Sequence, residues 1–205
     1  MDNLQISPTK GNLLAARKSQ ELAAMGYELM DRKRSILVRE MMGLIDRAGK
    51  LREVVDSTYR TAYAALQRAN ITMGICDEIA GTVPVETGLS VTARSVMGVE
   101  IPTVRLEERE LRPCYDFSGT NAAFDEAYLK FHQVKQLTAE LAEVENSVYR
   151  LAVAIKKTQS RANALKNIIL PDLAQTIKTI SSALEEKERE EFSRLKVIKN
   201  VQSKA

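Results

Sequence analysis

Few residues of this 205-residue chain are of types that do chemistry, and their spacing decides how far they can be used. The single histidine, His132, cannot supply the imidazole pair that multi-histidine metal sites and many proton shuttles need. It stands beside Phe131 on the flank of an apolar stripe, where packing is its plainer role. Cys76 and Cys114 form no CxxC and bracket a segment rich in breakers. They read as two free thiols rather than a disulfide framework. The acidic pairs Glu107-Glu108 and Glu185-Glu186 lie among compensating cations and read as solvated faces. The nine glycines are too scattered for a phosphate-cradling loop. Arg32-Lys33-Arg34 raises nucleic acid as a partner, yet acids interleave the cations along the chain and no aromatic platform accompanies them. No catalytic residue, cofactor site or metal site is assigned, and nucleic acid is not expected as a partner.

The elements that would carry these residues are helical. Proline numbers 5, aromatics make up 5 %, and charged residues reach 28 %, with 30 basic against 27 acidic. That usage favours long helices or coiled coils. The longest apolar runs, Ala62 to Leu66 and Leu151 to Ile155, are five residues, against roughly 20 needed to span a bilayer. No basic head followed by an apolar stretch marks an export signal within Met1 to Lys18. A cytoplasmic protein without direct membrane insertion is expected.

Breakers cluster between 81 and 119, including Pro84, Pro102 and Pro113, and divide the chain into helix, insert and helix: 1–75, 76–119 and 120–205. Ser7 before Pro8 suggests the N-cap and first turn of a helix over about 8–75. Thr120 or Asn121, followed by Asp125 and Glu126, suggests the start of a second over about 120–202. Val134, Leu137, Leu141, Val144, Val148, Leu151 and Ile155 step by three and four, as in a coiled-coil seam. Leu37, Met41, Leu44, Ala48, Leu51, Val55, Thr58, Ala62, Ala65 and Ala69 do the same in the first helix. Further on, Leu165, Ile169, Leu173, Ile177, Ile180 and Leu184 begin with three steps of four, a stutter expected to unwind the supercoil locally. Pro171 lies within it, where a kink or break is expected.

Helices of about 100 and about 120 Å cannot bury their own seams, so they should fold back on each other. The expected fold is all-α dominated: a long intramolecular antiparallel two-helix coiled coil with a small central insert. Paired residue numbers should add to roughly 196, which sets Met41 near Ile155. Within the insert, residues 89–106 read as a short β-hairpin turning at Met97-Gly98, with Pro102 on an edge strand. A lone hairpin is expected to add little to the coil's stability and to serve contact with a partner. The insert is acidic, with 4 basic and 8 acidic residues, between two basic flanks.

Ala164 to Pro171, followed by Glu185-Glu-Lys-Glu-Arg-Glu-Glu-Phe192-Ser-Arg194-Leu-Lys196, resembles the C-terminal helix of the D subunit of V-type and archaeal A-type rotary ATPases. Within it, Pro171, Glu188, Arg189, Glu190, Glu191, Phe192, Arg194, Leu195 and Lys196 carry the motif. Pro8, Thr9, Lys10, Gly26 and Lys33 look like the family's first helix, and Val96, Gly98, Val99, Ile101 and Pro102 like its central hairpin. The resemblance covers essentially the whole chain. It implies a non-catalytic central rotor stalk, an axle within a hexamer of A and B subunits. The small F subunit would sit on its side, and a socket-like subunit above the membrane ring would receive its other end. The complex would be peripheral, on the cytoplasmic face of the membrane. Lack of the longer tail of eukaryotic members points to the bacterial or archaeal kind. On composition alone, an unrelated cytoplasmic coiled-coil scaffold or tether is the alternative.

Overall fold

The computed structural model describes residues 7–107 and 114–203; Glu108, Pro113 and the last two residues lie outside it. Helix α1 runs Lys10–Met73, and a short helix α2 spans Asp77–Ala80. Strands β1 (Leu89–Val96) and β2 (Val99–Leu106) follow, then a 3-10 turn at Phe117–Gly119. Helix α3 (Ala122–Ala164) passes through a π-turn, Leu165–Ile169, into α4 (Leu170–Gln202). The chain packs as two units, residues 35–155 in one, and those up to Arg34 with those from Lys156 in the other.

Helix α1 starts later than Ser7 and Pro8 suggest. Thr9 is the cap: its Oγ1 accepts the Asn12 N–H at 3.2 Å, and its carbonyl accepts the first helical bond, from Leu13 N–H at 3.0 Å. The other end is set by Gly74 at φ +86°, a left-handed conformation that suits glycine and stops a helix. Of the two candidates for the second helix, Asn121 is the cap, with Oδ1 accepting the Phe124 N–H at 3.1 Å.

In the 35–155 unit α1 and α3 pair antiparallel, as the cross-helix contacts require. Arg47 meets Glu140, Tyr63 meets Phe131, Arg68 meets Glu126 and Thr72 meets Asn121, one number falling as the other rises. The seam follows the three-four stepping: Leu37, Val55, Ala62, Ala65 and Ala69 are buried on α1, and Val134, Val144 and Leu151 on α3. Met41 and Ile155 both pack against the Leu37–Leu151 level.

The hairpin is seated on this pair. Met97 and Gly98 both have positive φ, 50° and 76°, which gives the two-residue turn whose twist matches its strands. The flanking pair Val96–Val99 then exchanges both ladder bonds, so alternate backbone groups of β2, at Glu100, Pro102 and Val104, point away from β1. Proline fits there because no ladder donor is needed. On the opposite strand face, Ile101 is 1 % exposed and closes a core cluster with Leu37 and Leu151, with Val96 and Val99 alongside. The hairpin therefore contributes to the core, which the sequence-based expectation of a dispensable appendage missed. Ile101→Ala should cost about 2–5 kcal/mol of unfolding free energy, read by urea denaturation, whereas Val91→Ala on the exposed strand should change it little.

The π-turn replaces the anticipated break at Pro171. Its signature is the Leu170 N–H bonded to the Leu165 carbonyl, five residues back. The inward residues are Thr158, Ala162, Leu165, Leu170, Leu173, Ile177, Ile180 and Leu184, while Ile169 is exposed. The seam thus keeps three-four steps on both sides of one step of five. The extra residue is housed in a widened turn, and the helix continues through Pro171 without interruption.

Candidate interaction surfaces

Sequence-predicted residues gather at three places. In the unit containing both described chain ends, Lys10 opens α1 and its Nζ lies 2.9 Å from Glu188 Oε1, with Glu191 nearby. The bond to Glu188 raises the Lys10 pKa, but both side chains are exposed, so the pair positions the ends rather than stabilising them strongly. Pro8 and Lys33 are half-buried and Thr9 is the exposed cap. Beyond Glu188 every described residue of α4 is exposed. Glu190 pairs with Arg194 one turn on at 3.6 Å, and Arg189 and Lys196 face water. Phe192, at 70 % exposure, with Leu195, Ile198 and Val201, forms an uncovered apolar strip. On α1, Leu22, Met25 and Leu29 are also exposed, on helical spacing away from the seam.

Gly26 on α1 and Pro171 in α4 adjoin the π-turn. A Cβ at Gly26 would meet only Leu165 Cδ1, at 3.9 Å, and the next residue, Tyr27, carries Lys166 Nζ 5.7 Å from its ring centre. Pro171 itself is exposed in the first turn of α4.

The third place is the hairpin in the 35–155 unit, and here three residues were overlooked. Glu143 Oε2 accepts the Val104 N–H at 2.7 Å, Ser147 Oγ approaches the Pro102 carbonyl at 3.5 Å, and Arg150 donates to the Glu100 carbonyl at 3.3 Å. The three stand one position before the seam residues Val144, Val148 and Leu151 and so share a face of α3. Glu143 and Arg150 bond the outer edge of β2, while Ser147, whose hydroxyl donates to the Glu143 carbonyl at 2.7 Å, lies against it, a common way to cover a strand edge. Arg94 on β1 adds an ion pair with Glu40 of α1 at 3.1 Å. Their spacing was visible in the sequence, but nothing local identifies backbone 39 to 50 residues away as their target.

Near the insert's ends, Tyr115 donates to Asp125 Oδ1 at 2.7 Å and packs edge-on against Phe124, with ring centres 4.8 Å apart. Burial, reinforced by Asp125, pushes its hydroxyl pKa up. Cys76 is buried in this cluster and Cys114 is exposed, and neither is in a disulfide. A cavity of about 480 Å³ opens beside it, lined by Leu66, Val83, Phe124, Phe131, His132 and Lys135. At its rim Lys135 Nζ holds Glu86 Oε2 at 2.6 Å. His132 is half-buried there. Ile71, Ile75, Val85, Phe117 and Leu129 in the same unit are exposed. Among the described residues no group of three or more His, Cys, Asp or Glu could hold a metal ion, and no helix is long and apolar enough to cross a membrane. What the surface offers is apolar contact area with flanking charges.

Residues 12–200 match the family model for the D subunit of ATP synthase. The chain belongs to the ATP synthase D-subunit family. It is 46 % identical over 198 residues to the D subunit of the V-type ATP synthase of Thermotoga neapolitana, covering 96 % of this chain and 98 % of the relative. It is 37 % identical to the D subunit of the A-type ATP synthase of Pyrococcus furiosus, covering 96 % and 94 %. The A-type D subunit of Methanobrevibacter smithii is also 37 % identical, with 95 % of this chain and 87 % of that one covered. This D subunit therefore belongs to a rotary ATPase of the V or A type.

Burial holds the His132 pKa below its ordinary 6.5, helped by Lys135 and opposed by Glu86. The folded state thus binds this proton more weakly than the unfolded chain, and the resulting stability is present above about pH 6.5 and lost as pH falls below it. Denaturant midpoints at pH 7.5 and 5.5 should therefore differ less in His132→Gln than in the parent.

Proposed function

We propose that this D subunit is the central rotor shaft of its complex, a non-catalytic axle that couples ATP synthesis or hydrolysis in a hexamer of A and B subunits to ion translocation by a membrane ring. Its partners would be the A and B subunits around the end formed by Lys10 and α4, the F subunit on the side of the coil, and a socket-like subunit at the insert end. The complex would lie on the cytoplasmic side of the membrane.

The observation that carries this reading is the apolar strip Phe192, Leu195, Ile198 and Val201 on the part of α4 beyond the Lys10–Glu188 pair. A helix stretch that packs on nothing within its own unit, yet keeps large apolar residues at helical spacing, is built to be enclosed by something else. Within each unit the buried seam between paired helices supplies stiffness of the kind that transmitting torque requires. Exposed Ile71, Ile75 and Leu129 provide a second contact region for the partner at the insert end.

Removing residues from Glu190 onward tests the assignment, because the deletion takes the apolar strip and leaves the seam intact. Losing two buried anchors of about 2 kcal/mol each should weaken association with the A and B subunits by about a thousand-fold. Coupled ATP turnover of the reconstituted complex should fall with it, while circular dichroism shows the remaining coil folded. Full, coupled turnover by the truncated protein would assign this end elsewhere.

A further inference from the structure

The π-turn at Leu165–Ile169 is an expense that the rest of the coil does not require. In this unit α1 keeps unbroken three-four stepping through its inward residues Leu13, Ala16, Gln20, Ala23, Tyr27, Met30 and Arg34. Its partner has one residue too many, between Leu165 and Leu170. Taking that residue out would turn the step of five into four and restore a continuous seam with every inward side chain still inward. The structure instead houses it in a turn with five-residue hydrogen bonding, a rare geometry in a helix.

The surroundings fit the widened turn. Gly26 faces Leu165, the first residue of the turn: a Cβ added there would make ordinary contact with Leu165 Cδ1, at 3.9 Å. Ile168 is 65 % exposed and Ile169 is also exposed, so two large apolar side chains are turned to water where uninterrupted stepping would have placed Ile169 in the seam. Pro171 contributes no N–H, so the carbonyl it would have bonded in an α-helix loses that donor. A helix otherwise consistent in pattern and propensity departs from both at one level, and such departures collect where a protein uses them.

We infer that this π-turn is a yielding joint built into the helix pair, a place where α3 and α4 open more readily than in the turns on either side, and that the extra residue, rather than Pro171, creates it. The inference concerns the helix pair itself and stands apart from the rotor reading. In a shaft under load it would confine compliance to one level and leave the seam above and below rigid.

Hydrogen exchange of the full-length chain, resolved by residue, tests it. The amides of Ile168 and Ile169 should exchange at least about ten-fold faster than those of Lys178 and Thr179, which are also exposed on a regular turn. With Ile168 deleted and Pro171→Ala together, the difference should vanish and the melting temperature should rise by several degrees. Pro171→Ala alone should keep the fast exchange, because the extra residue remains. Equal protection in the parent, a lower melting temperature in the double variant, or uniform protection in Pro171→Ala alone would each overturn the inference. ATP turnover of complexes reconstituted with the double variant then reads the joint's use separately: altered coupling extends the joint to the rotor, while unchanged coupling with the exchange result intact removes its role there and leaves the joint.

Discussion

The apolar stripe of α1 cannot be covered by α1, and everything else in the molecule follows from how a second helix of the same chain is brought back to cover it. A single helix has no interior, so residues such as Leu37, Val55 and Ala62 reach burial only through side chains delivered by α3. Small residues at Ala62, Ala65 and Ala69 let the backbones approach near the insert, and aromatic rings, Tyr63 against Phe131 and Tyr115 against Phe124, close the gaps beside them. Ion pairs such as Arg68 with Glu126 sit at the rim, exposed, where they favour one register more than they add stability.

The hairpin depends on the same pairing. A two-stranded sheet holds poorly alone, and here Ile101 packs with Leu37 and Leu151 while Glu143 and Arg150 on α3 bond the outer edge of β2 and Ser147 lies against it. Because those polar residues each precede a seam residue, the rotation of α3 that buries its apolar side also aims its polar flank at the strand. Strand β1, by contrast, stays exposed along all but Val96. Apolar area left open includes β1, Ile71, Ile75 and Leu129, the Leu22–Leu29 face of α1, Ile168 and the last turns of α4, surfaces available to an assembly.

Much of this was legible in the sequence. The three-four stepping of Leu37 through Ala69 and of Val134 through Ile155 fixed the class of fold, because that period has a single economical solution in a chain with so few breakers between its ends. Met97-Gly98 located the hairpin turn. Failures came where two signals competed or the partner was remote. Ser7-Pro8 and Thr9 both offered a cap, and only the Asn12 N–H shows which is used. Leu165, Ile169 and Leu173 looked like a seam because Ile169 and Leu170 are both apolar and adjacent, so hydrophobicity could not say which turns inward. Ile101 resembled any other strand residue until the helices behind it were placed. The surface motif from Glu185 to Lys196 was conspicuous as sequence, yet it carries no chemistry of its own, which is consistent with a role in contact.

Antiparallel pairing within one chain is the central claim, and a short thiol-specific crosslinker tests it most directly. With Cys76 and Cys114 replaced by serine, cysteines at 41 and 155 flank the Leu37–Leu151 level of the seam. Efficient crosslinking that leaves the protein a monomer on denaturing gels at any dilution is the expected result. Crosslinks only between chains, fading as the protein is diluted, would contradict it and point to helices that pair between molecules.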